Sequence, residues 1–86
     1  MISTVNLAYY EKKDWDYFLS IIDDREVMPD EWDDWFKKYS NLKSFMILEG
    51  FFIKEVIIDV NELIDYCVER NIKIDGKARA QFVQLK

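Results

Sequence analysis

Apolar residues recur along this chain with two different periods. Trp15, Phe18, Leu19 and Ile22 fall at i, i+3, i+4 and i+7, which is one face of a helix over about Asp14 to Asp23. Asp16 and Ser20 lie on its other side, and Asp14 stands where an N-cap belongs. A longer face runs Trp32, Trp35, Phe36, Tyr39, Leu42, Met46. It predicts a second helix that starts after Pro29, takes Asp30 as its N-cap and stops at a left-handed Gly50. Asp24 to Pro29 is then a connection.

Two stretches are richer in β-branched and aromatic types. Ile2, Val5, Leu7 and Tyr9 alternate loosely, and Thr4 to Tyr10 reads as a short strand. Phe51 to Ile58 carries charge only at Lys54 and Glu55, so it reads as a largely buried strand. Asp59 and Glu62 form a D-x-x-E variant of the capping box. Behind it Val60, Leu63, Ile64, Cys67 and Val68 make a helical face, closed by Asn71. After an extended link at Ile72 to Ile74, Asp75 caps a last helix with Ala78, Phe82 and Leu85 along one side.

The predicted order is β-α-α-β-α-α. If the strands pair, this is a small single α+β domain, residues 1–86, with helices on one face of a minimal two-stranded sheet. If they do not, it is an all-helical bundle with extended connectors.

Composition limits the chemistry. The chain has 86 residues, 10.4 kDa, no histidine, one cysteine and a net charge of -5. Surface scaling for this mass gives about 5,400 Å² exposed when folded. Without histidine there is no imidazole base, no Ser-His or Cys-His pair and no imidazole metal ligand. A lone Cys67 forms no internal disulfide and builds no cysteine-based zinc site; between Ile64 and Val68 it reads as a buried, inert thiol. No signal peptide and no apolar run of membrane-spanning length is read, so the expected location is the cytoplasm. No catalytic residue, cofactor or resident metal is assigned, and the negative balance argues against direct binding to nucleic acid or a membrane.

The charge is uneven. Residues 1–49 hold 11 acids and 6 bases, whereas residues 50–86 hold 6 of each. Nine acids fall between Asp14 and Asp34, with Arg25 the only base among them. Caps explain Asp14 and Asp30, and the positive end of a helix explains Glu31, Asp33 and Asp34. Neither explains Asp23, Asp24 and Glu26. That leaves three readings: a solvated face, a docking surface for a basic partner, or a metal site built from Asp23, Asp24, Asp30 and Asp34. The last lacks a D-x-D-x-D-G loop.

Aromatics at helical spacing are core residues first. Three tryptophans are many for so thin a core, and one of Trp32 and Trp35 is a candidate for a partly exposed anchor. Arg70, Lys73, Lys77, Arg79 and Lys86 make the C-terminal region basic, read as internal balance against the acidic helices.

The stretch Val56 to Phe82, V-I-I-D-V-N-E-L-I-D-Y-C-V-E-R-N-I-K-I-D-G-K-A-R-A-Q-F, resembles the C-terminal half of short uncharacterised bacterial proteins. P-D-E-W-D-D-W, Pro29 to Trp35, resembles the tryptophan-containing helix start of the same group. The resemblance implies a bacterial-type cytosolic protein and a helix-strand-helix order. It implies no activity.

The expectation is therefore a small acidic interaction domain without catalysis. Its candidate partner-binding residues are Asp23, Asp24, Glu26, Asp30, Asp34, Trp32 and Trp35, facing a basic protein. Two alternatives stand beside it: an inhibitor or immunity-type protein that mimics nucleic-acid phosphates, and a carboxylate enzyme using a divalent metal. A tryptophan face also serves as a homodimer seam.

Overall fold

A computed structural model describes residues 3–86. The elements are β1 (Thr4–Tyr9), α1 (Trp15–Ile21), α2 (Trp32–Leu48), β2 (Phe52–Ile57), α3 (Val60–Arg70) and α4 (Gly76–Gln84). Short 3-10 turns at Lys12–Asp14 and Arg25–Val27 precede α1 and α2. This is the β-α-α-β-α-α order of a small α+β domain, 60% helical and 14% strand. Ile2, which opens the loose alternation ahead of the predicted strand, lies outside the described residues. Because the strands pair, the helical-bundle alternative is set aside.

The pairing is parallel, from Thr4 beside Phe52 to Tyr9 beside Ile57. Parallel strands need a long crossover, and α1 and α2 supply it. Side chains alternate across the sheet, so Asn6 and Lys54 share one face, and Leu7 and Glu55 the other. On the first face Asn6 Nδ2 donates to the Val83 carbonyl of α4 at 3.2 Å. On the second, the Tyr39 hydroxyl of α2 donates to the Glu55 carboxylate. Helices therefore lie on both faces, not on one as expected, which is the usual consequence of a parallel crossover.

β2 is also less buried than its sequence suggests. Only Val56 is buried, while Phe52 and Ile57 are 60% and 62% exposed. The strand has a single neighbour, so its composition meets an open edge.

The core joins both halves of the chain. Phe18, Leu63 and Cys67 are fully buried at its centre. Tyr10 stacks on Phe18 at 4.2 Å, and Trp35 sits within 5.1 to 5.7 Å of Tyr9, Tyr10, Trp15 and Tyr39. Val68 and Leu85, expected on apolar faces, are exposed. Val68 lies about 100° around the helix from Cys67, off the narrow stripe that α3 buries. Leu85 follows the last residue of α4.

Helix ends divide the predicted caps. Asp59 and Asp75 have extended backbones, and their carboxylates accept from Glu62 N–H at 3.1 Å and Ala78 N–H at 3.0 Å. Glu62 does not complete a reciprocal box; it pairs with Lys86 Nζ at 2.9 Å. Asp14 makes no cap bond, because it lies in the 3-10 turn and lacks the extended backbone a cap needs. Asp30 does not cap α2 either. Glu31 holds the cap position without a side-chain bond, and Asp30 pairs with Arg25 instead.

Both predicted stops are left-handed, Gly50 with φ 96° and Asn71 with φ 53°. At each, two backbone bonds close the helix: Gly50 to Ile47 and Phe51 to Met46, then Asn71 to Val68 and Ile72 to Cys67. That is the Schellman arrangement.

Candidate docking surface

The acidic residues separate into two groups. Asp23 and Asp24 follow α1 and turn toward the link before α4. Asp23 exchanges bonds with Ile74: its N–H donates to the Ile74 carbonyl at 2.8 Å, and its carboxylate accepts from Ile74 N–H at 2.7 Å. Asp24 accepts from Arg79 Nη1 at 2.7 Å and Nη2 at 2.9 Å, and from Gly76 N–H at 3.0 Å. Gly76 opens α4, so Asp24 satisfies a helix N-terminal donor from outside the helix.

This network fixes the charges it uses. The Arg79 hydrogen bonds hold the Asp24 carboxyl below its ordinary value. Burial works against the charge on Arg79, but Asp24, with Tyr10 and Asp75 nearby, together outweigh it and hold the guanidinium above its ordinary value. Burial pushes the neighbouring Tyr10 phenol up to about 12. Asp23 and Asp24, which neither capping nor the helix dipole explained, are thus occupied within the fold. Sequence spacing could not reveal a partner 55 residues away.

The other acids make no such contact with the C-terminal half of the chain. Glu26, Glu31, Asp33 and Asp34 are exposed. Lys12 approaches Asp33 at 3.6 Å, and Arg25 holds Asp30. The four carboxylates of the metal reading do not converge. Among the described residues no group of three or more His, Cys, Asp or Glu is placed to hold a metal ion.

Of the two candidate tryptophans, Trp32 is the partly exposed one. Trp35 is buried. Trp32 is half-buried, donates its indole N–H to the Tyr10 carbonyl at 2.7 Å and stacks on Phe36 at 4.8 Å. Cys67 is buried, and burial, with Asp75 and Asp23 nearby, raises its thiol above the ordinary value.

The exposed apolar surface lies elsewhere. The residues α2 buries, Trp35 and Tyr39, are both in its first half. Beyond them Leu42, Phe45 and Leu48 stand at i, i+3, i+6 along one ridge. Phe45 and Leu48 are 60% and 85% exposed, and Phe51, just past Gly50, is exposed as well. The predicted face included Leu42 but not Phe45 or Leu48, whose absence from the buried stripe was the available signal.

A polar crevice of about 350 Å³ opens at the C-terminal ends of the strands, lined by Glu11, Lys13, Asp14, Tyr17, Asp59 and Asn61 among others. Open parallel sheets bind ligands at such ends. Here Tyr17 and Asn61 are already bonded to each other at 2.7 Å, and charges of both signs line the walls.

No protein family, curated protein or solved structure matches the chain. Among the described residues no helix is long and apolar enough to cross a membrane.

Proposed function

We propose that the chain is a non-catalytic protein-interaction domain that docks a partner through the ridge of Leu42, Phe45 and Leu48 with Phe51. The observation that carries this reading is the exposure of that ridge in a molecule that buries its other long aromatic series. Contiguous apolar surface of this kind marks interaction sites in monomeric proteins.

A second reading keeps the basic partner, with the phosphate-mimicking inhibitor as its narrower form. It is favoured by Glu26, Glu31 and Asp34, which lie exposed around the start of α2. Asp23 and Asp24 already accept hydrogen bonds within the fold, although Asp23 stays exposed. Charge would steer such a partner, and salt would weaken it.

A pull-down at low and high salt separates the two. The baits are the wild type, Phe45→Ser with Leu48→Ser, and Glu31→Gln with Asp34→Asn. Ridge docking predicts a partner that survives high salt and is lost only with the first variant. Loss with the second variant, at low salt alone, moves the function to the acids. Identical retention by all three baits overturns both readings.

A further inference from the structure

Phe52 N–H donates to the Ser3 carbonyl at 3.0 Å, and Ile58 N–H to the Tyr9 carbonyl at 2.9 Å. With Thr4 beside Phe52, the parallel ladder turns the backbone groups of Ser3, Val5, Leu7 and Tyr9 toward β2. Those of Thr4, Asn6, Ala8 and Tyr10 therefore point away from it. The Tyr10 carbonyl meets the Trp32 indole. Among the described residues, the backbone N–H and C=O groups of Thr4, Asn6 and Ala8 have no protein partner.

The two open edges differ in chemistry. β2 presents Lys54 and Glu55, charges of the kind that blunt edge pairing. β1 reads T-V-N-L-A-Y, with no charge, proline or glycine. Such an edge is a template for another strand, and a sheet of two strands is short of the usual number. An open groove lies beside it, lined by Asn6, Ala8 and Tyr10 and by Ala80, Val83 and Gln84 of α4.

We propose that this edge takes the β1 strand of a second copy, antiparallel about a two-fold axis, to give a continuous β2-β1-β1-β2 sheet. The strand is self-complementary in the register centred on Asn6. Thr4 then faces Ala8 of the second copy and Asn6 faces Asn6, as hydrogen-bonded pairs that satisfy every one of the free groups. Val5 faces Leu7 at the closer, non-bonded sites, placing apolar against apolar. The acids that give the chain its net charge begin only at Glu11. This edge is separate from the α2 ridge, so the proposal goes beyond the reading above.

Light scattering combined with amide hydrogen exchange tests it. At about 1 mM chain, above the Kd of even a weak dimer, the mass should double and the Asn6 and Ala8 amides should exchange as slowly as Leu7 and Tyr9. On dilution Asn6 and Ala8 should speed up while Leu7 and Tyr9 hold. Thr4→Pro, at the exposed first residue of the strand, removes one outward donor and should weaken the dimer about tenfold. Slow Leu7 and Tyr9 amides show that this variant is folded. A monomer at that concentration, or a dimer whose Asn6 and Ala8 amides exchange freely, overturns the proposal. If Phe45→Ser with Leu48→Ser abolishes the latter dimer, its seam is the α2 ridge.

Discussion

Asp24 and Arg79 form a two-point ion pair, Oδ1 to Nη1 at 2.7 Å and Oδ2 to Nη2 at 2.9 Å. It ties the connection after α1 to the first turn of α4. Arg79 is buried, so removing its partner strands a charge inside the fold. Asp24→Asn should lower stability by about 3 kcal/mol, read from urea unfolding at neutral pH. A change within about 0.5 kcal/mol would mean that water already compensates Arg79. The pH dependence has a definite sign. The Asp24 pKa is lowered in the fold, so its stabilisation is present above the unfolded carboxyl value of about 4 and is lost as pH falls through the folded value. The variant should show a flatter acid limb than the wild type.

The candidate caps Asp59, Asp75 and Asp14 should fall into two classes. Asp59→Ala and Asp75→Ala each remove a formed bond to a backbone N–H, and each should cost about 1 kcal/mol in thermal or urea unfolding. Asp14 makes no such bond, and Asp14→Ala should stay within about 0.5 kcal/mol. Equal losses at all three positions would show that charge near the helix starts, rather than the bond, carries the effect.

Gly50 isolates a backbone effect. A Cβ added there meets nothing within 4 Å, yet φ is +96°. Gly50→Ala should therefore destabilise through strain alone, by about 1 kcal/mol or more. Asn71, already a non-glycine residue in the left-handed region, should accept glycine with little change.

Cys67 should be silent until the protein unfolds. The thiol is buried, and burial raises its pKa, which lowers the thiolate fraction that reacts. A disulfide reagent at neutral pH should titrate no thiol in the native protein and one in denaturant. Rapid native labelling would mean that α3 opens locally from the core.

What the sequence determined on its own is local. The element order, the Asp59 and Asp75 caps and the left-handed stops at Gly50 and Asn71 follow from periodicity and from backbone preferences acting over a few residues. The aromatic series was legible as core for the same reason, since Trp15, Phe18, Trp35 and Tyr39 repeat at the helical period.

Tertiary structure decided the rest. Parallel pairing, with α2 and α4 on opposite faces, depends on where the crossover returns the chain, which no short-range pattern encodes. Arg79 was one basic residue among five near the C-terminus, read only as a general balance to the acidic helices, until packing placed it against Asp24 in particular. The tail of α2 carries the residue types of a core, but its buried residues end at Tyr39. Apolar side chains are buried only where another element reaches them, and that reach is a property of the assembled fold.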